Sequence, residues 1–162
     1  MTGAEDLTRQ LPPVPAPRFV VEVRVDPEWY AGQDSPDPLP AAGPPRIVPV
    51  TGSRLLVGRR PAGAASGPDV DCAGDSGVSR RQAVLTREGR TWWVEDLQSS
   101  NGTFVGSAGG ALPETPLPPG RAYDLGEDDC VYVGSWTRLQ VREAAEEEPA
   151  AGHTTGAEDP AG

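Results

Sequence analysis

Two short polar turns hold the residues best suited to chemistry, Val78-Ser79-Arg80-Arg81 and Ser99-Ser100-Asn101-Gly102-Thr103. Between them Gln82–Thr86 and Thr91–Leu97 alternate apolar and polar residues and are joined by Glu88-Gly89-Arg90, the pattern of a β-hairpin. A hairpin returns the chain to where it started, so both turns are expected at one end of a sheet. Hydroxyls, guanidinium groups and an amide then face one small volume of solvent. Such donors suit an oxyanion, and phosphate in particular, because hydrogen bonds from a guanidinium to an anion are charge-assisted. The chemistry is that of holding, not of reacting. The single histidine, His153, lies near the C-terminal end, and neither a metal-ligand cluster nor a Gly-rich nucleotide loop accompanies the turns. No catalytic residue, metal or cofactor is therefore expected.

Composition narrows the classes further. The chain has 162 residues, enough for one domain with tails, and its net charge of −10 argues against a phosphate-backbone reader of nucleic acid. No apolar run approaches the ~20 residues that span a bilayer, and the N-terminus has neither the basic start nor the apolar segment of a secretory signal. A cytoplasmic protein without membrane insertion is the expectation. All 14 basic residues are arginine. This reads first as the coding bias of a GC-rich genome. Cys72 and Cys130 each fall in a segment with strand character and read as buried thiols.

The elements that must position the turns are strands. Residues 1–17 are Pro-rich and short of core formers and read as disordered; residues 143–162, with six acidic residues and no Arg or Lys, read as a disordered acidic tail. Between them, 18–142 forms the expected domain. Phe19, Val21, Val23 and Val25 share one face of a half-buried strand. A connection from Asp26 to Pro45 with six prolines follows, in which Trp29 and Tyr30 read as covering a sheet end. Ile47–Val50 and Ser53–Val57 read as a second hairpin about Thr51-Gly52, with Pro49 marking an edge strand. Asp69–Cys72, Thr103–Val105, Ala122–Leu125, Cys130–Val133 and Thr137–Val141 complete about ten short strands with no convincing amphipathic helix. The fold class is all-β, a β-sandwich of two antiparallel or mixed sheets.

With these elements placed, the chain resembles the forkhead-associated (FHA) domain family over about Arg18 to Arg142, most closely its actinobacterial members. Three separated signatures carry the resemblance: Gly58-Arg59 at the end of a strand, Ser79-Arg80-Arg81-Gln82, and Ser100-Asn101-Gly102-Thr103 preceded by Asp96-Leu97. Leu117-Pro118-Pro119-Gly120 and Leu125-Gly126-Glu127-Asp128-Asp129 follow the family's later pattern. The resemblance implies a module that binds phosphothreonine peptides. It implies that Arg59, Ser79, Arg80, Ser100 and Asn101 contact the phosphopeptide. Gly58, Gln82, Gly102 and Thr103 support them, with Gly102 at positive φ. Gln82 stands where the family has a bracing histidine, and its amide offers a donor and an acceptor at similar reach. The implied partners are phosphothreonine-containing proteins of a bacterial Ser/Thr kinase pathway. The alternative is a phosphate-independent interaction scaffold using another surface of the sandwich or the acidic tail.

Overall fold

The computed structural model describes residues 18–145. The expected disorder of 1–17 and of the tail beyond 145, and His153, lie outside the described residues. Ten strands run in the order β1 (Phe19–Val25), β2 (Arg46–Pro49), β3 (Arg54–Gly58), β4 (Val70–Asp71), β5 (Ala83–Glu88), β6 (Thr91–Asp96), β7 (Thr103–Ser107), β8 (Tyr123–Leu125), β9 (Asp129–Val133) and β10 (Thr137–Glu143). They form two five-stranded sheets, β2-β1-β10-β9-β7 and β4-β3-β5-β6-β8. Only β3 and β4 pair in parallel among these ladders. The expected all-β sandwich is the fold.

Alternation builds the core. Val57, Leu55, Leu85, Val94, Val131, Val133 and Leu139 are almost wholly buried from both sheets, with Val21 of β1 meeting them. The β5–β6 hairpin forms as the alternation requires, closed by Gly89-Arg90, with Glu88 opposite Thr91 and Ala83 opposite Asp96. Its open end therefore delivers both polar turns to the same edge of the sandwich.

Two local expectations are corrected. Ile47–Val50 and Ser53–Val57 do not form a hairpin: β2 pairs with β1, while β3 joins the other sheet beside β4 and β5. The Thr51-Gly52 bend carries the chain between sheets, and Val48 from one strand and Leu55 and Val57 from the other then pack into the one core. Pro49 does lie on an edge strand, as its missing N–H demands. The long connection, in turn, is not wholly irregular. It opens with α1 (Pro27–Ala31), capped by Asp26, whose Oδ1 accepts from the amides of Glu28 at 2.9 Å and Trp29 at 3.1 Å. Pro27 at the first helical position loses no needed donor. One turn is too short to show a periodic apolar face in sequence.

Charge sets the pH response of the outer sheet. Glu22 on β1 accepts from Arg142 Nε at 2.6 Å and Arg24 Nε at 3.2 Å. Burial alone raises its pKa, but the hydrogen bond and charge of Arg142, with those of Arg24, outweigh that and hold it below the ordinary 4.5. A lowered folded pKa contributes stability in full above the unfolded value and loses it as pH falls through the folded one. Urea midpoints measured at pH 7 and pH 3 are therefore expected to fall further for the wild type than for Glu22→Gln; equal losses refute the assignment. Burial likewise pushes the Cys72 thiol up to about 12. Thiol labelling at pH 8 is expected to leave Cys72 unmodified until the protein is unfolded.

Candidate functional site

Three chain segments meet at one end of the sandwich. The first is the end of β3. Gly58 is there because the backbone of the Ser79-Arg80 turn lies directly on it: a Cβ at this position falls 1.9 Å from the Arg80 carbonyl oxygen. No side chain fits between. Arg59 follows, half buried, and its Nε donates to the Val78 carbonyl at 2.8 Å. This bond uses one of five N–H donors and fixes the guanidinium beside Ser79, leaving its terminal nitrogens without a hydrogen bond among the described residues.

The two polar turns hold each other. Ser79 Oγ accepts from the Ser100 amide at 2.9 Å, which leaves the hydroxyl proton free to donate outward. Asn101 Nδ2 donates to the Gly77 carbonyl at 2.9 Å, leaving the amide oxygen and one N–H unengaged. Arg80 and Ser100 are exposed at the same edge. Gly102 has φ +89°, the left-handed conformation expected for it. The structure thus brings together Arg59, Ser79, Arg80, Ser100 and Asn101. Arg81 is exposed and makes no contact of its own there.

Beneath this surface lies the brace. Gln82 has 0% exposure; its Oε1 accepts from the Ser79 amide at 2.9 Å, and its Nε2 donates to the Gly102 carbonyl at 2.9 Å and to Thr103 Oγ1 at 3.0 Å. Every capacity used is one that a neutral amide keeps at any pH. Gln82 thus bonds to both turns without a titratable group. Thr103 passes the network on, donating to Asp96 Oδ1 at 2.6 Å. Ser99 Oγ donates to the same oxygen at 2.6 Å and accepts from the Gly102 amide at 3.0 Å. Asp96 also anchors a turn in which Gln98 takes φ 62°, uncommon for a side-chain-bearing residue. From below, the Leu117–Gly120 loop closes the set, since the Leu117 amide bonds to the Thr103 carbonyl and the Gly120 amide to that of Asp96.

Sequence reasoning missed two supporting groups, Asp75 and Ser99, and gave Trp29 only a covering role. Asp75, 1% exposed, accepts from the amides of Gly77, Ser135 and Trp136 and from Thr137 Oγ1 at 2.8 Å, so it ties the first turn to the β9–β10 turn. Ser99 reads as an ordinary loop residue but completes the Asp96 network. Trp29 of α1 donates to the Gly134 carbonyl at 3.1 Å and packs 5.0 Å from the rings of both Phe104 and Tyr132. Ser76 Oγ bonds the Asp37 carboxylate, so the long connection also touches the first turn. An Asp five residues upstream of Ser-Arg-Arg-Gln's Arg80, followed by Ser-Gly, was the visible signal for the Asx turn. The long-range partners of that carboxylate had none.

The arrangement offers guanidinium, hydroxyl and amide donors on a preorganised surface, cationic within a chain of net charge −10. Removing the brace is expected to cost more than its own hydrogen bonds. Gln82→Ala opens a cavity beneath the turns and leaves the part-buried Ser79 amide and Gly102 carbonyl without their partner, for a loss of about 2–4 kcal/mol. Chemical denaturation checks this; a loss under about 0.5 kcal/mol shows that the turns hold themselves.

Comparison with known proteins agrees with this geometry. Residues 55–134 match the model of the FHA domain family. An FHA domain-containing protein of Arabidopsis thaliana is 30% identical over 67 residues, which cover 41% of this chain and 16% of that protein. Among solved structures, full-length yeast Pml1p superposes with a TM-score of 0.57 at 18% identity, covering 88% of this chain and 92% of that one. The FHA domain of an Arabidopsis thaliana hypothetical protein gives a TM-score of 0.51 at 22% identity, covering 85% and 92%. At these identities the structures speak for the fold. FHA domains are interaction modules that read phosphorylated motifs. With its matched segment, its two-sheet sandwich and its juxtaposed turns, this chain contains an FHA domain.

Proposed function

We propose that the chain is a phosphothreonine-peptide-binding adaptor module, with 18–142 as its FHA domain, serving bacterial Ser/Thr kinase signalling. One observation carries the reading: the end of β3 and the two polar turns converge so that Arg59, Ser79 and Asn101 present unengaged donors to one patch of solvent. A phosphothreonine brings close to two negative charges and three strong acceptor oxygens. Arg59 and the Ser79 hydroxyl bind the phosphate. Arg80 reaches the phosphate or the ligand backbone beside it. Asn101, with one N–H and its oxygen free, pairs with the main chain of an extended peptide, and Ser100 adds a hydroxyl at the rim. The absence of lysine is the support for a bacterial, GC-rich source. The partners are phosphothreonine-containing proteins, substrates of such a kinase or the kinase itself.

A few charge-assisted bonds at about 1.5–3 kcal/mol each suffice for micromolar affinity, about −8 kcal/mol. Calorimetric titration with one peptide in phosphothreonine, phosphoserine and unphosphorylated forms tests the proposal. Phosphothreonine is expected to bind at least about 100-fold more tightly than threonine, the equivalent of two lost phosphate bonds. Arg59→Ala and Asn101→Ala are each expected to weaken binding about 10- to 100-fold, with circular dichroism unchanged and with Arg81→Ala as the neutral control. Equal affinity for the unphosphorylated peptide overturns the proposal and favours the phosphate-independent scaffold.

A further inference from the structure

The strands that carry the recognition turns at one end leave a second opening at the other. A cleft of about 570 Å³ lies between the sheets there, with Phe19, Trp92, Leu125 and Val141 on its walls and Glu127 and Asp128 at its rim. Seven residues of β1 separate this end from the recognition end, about 20 Å at the rise of an extended strand. The volume falls within the ~300–1,000 Å³ of ordinary ligand sites.

Two observations make the cleft more than a gap. Trp92 is 4% exposed, yet its indole Nε1 has no hydrogen-bond partner among the described residues. A buried N–H without an acceptor is uncommon in folded proteins and asks for one from outside the chain. The ring lies edge-on to Phe19 with centroids 5.6 Å apart. Charge supplies the second observation. The cleft's cations are already engaged: Arg90 with Glu143, and Arg142 with Glu22. The carboxylates of Glu127 and Asp128 take no hydrogen bond or ion pair among the described residues. Asp129 is occupied, accepting from the Gly126 amide at 2.7 Å.

We propose that this cleft is a second, phosphate-independent binding site for a basic peptide segment of a partner protein. An apolar side chain of the segment lies against Phe19, Trp92 and Leu125. A main-chain carbonyl next to it accepts from Trp92 Nε1. Flanking lysine or arginine residues pair with Glu127 and Asp128. A main-chain carbonyl is the acceptor of choice because it supplies the bond without burying a charge. Occupancy of the two ends is sterically independent, so the module links a phosphorylated protein to an unphosphorylated one.

The test is NMR titration of the full chain. Its four tryptophans give four indole N–H cross-peaks, and Trp92→Phe identifies the relevant one. The probes are two acetylated, amidated pentapeptides, Arg-Arg-Leu-Arg-Arg and Glu-Glu-Leu-Glu-Glu. The basic peptide is expected to move the Trp92 indole signal downfield and saturably while the Asn101 side-chain amide stays in place. The acidic peptide is expected to leave both unmoved. A Glu127→Lys, Asp128→Lys double variant, changed only at exposed positions, is expected to bind the basic peptide at least about tenfold more weakly. The proposal is overturned if the basic peptide leaves the Trp92 signal in place, if both peptides move it alike, or if the double variant binds as the wild type does. None of these readouts depends on whether the other end binds phosphothreonine.

Discussion

Gln82 sits without exposed surface between two turns that lie 20 residues apart in sequence, and its single amide group satisfies a donor in one and two acceptors in the other. Everything on the surface above inherits its position from that contact and from the Asp96 network joined to it through Thr103. Side chains on loops pay conformational entropy when they bind unless something has already fixed them. Here the fixing is done by buried polar groups, which are costly to leave half-paired and rigid when complete. Because Gln82 does not titrate, the brace is indifferent to pH across the range in which a histidine would change charge.

The second carboxylate, Asp75, does the same work from the other side. It gathers amides and a hydroxyl from the β9–β10 turn, which belongs to the opposite sheet. This end of the sandwich is thus pinned to both sheets, and α1 adds Trp29 as a further wedge against Phe104 and Tyr132. The Asp26–Pro45 connection therefore contributes to the rigidity of the site although none of its residues belongs to the signatures. Arg59 and Arg80 form a positive patch on an acidic chain, whose net charge discourages loose binding to polyanions.

The hairpin was legible from its period-two alternation and its Gly-containing turn, because both are short-range properties of residues that pair with near neighbours. The same signals misread Thr51-Gly52. A Gly-containing bend looks alike whether the flanking strands pair with each other or part to different sheets, and only the competition among all the strands for partners settles which. The short helix escaped notice for a related reason: one turn has no period to read, and its cap and proline mark a start without showing that anything follows.

The sequence alone carried the fold class, the alternation of the core strands, the edge position of Pro49 and the three signatures from which the FHA domain was inferred, since each depends on residue type and local spacing. It also marked Gly102, with its positive φ, and Gly58, though for Gly58 it held no reason. Only the tertiary structure decided that Gly58 is required by the carbonyl of Arg80 lying against it, that Gln82 bonds to both turns at once, and that Asp75, Asp96 and Ser99 join the network beneath them. These are contacts between segments distant along the chain. A side chain's partners there are chosen by how two sheets pack, and no local pattern records that choice.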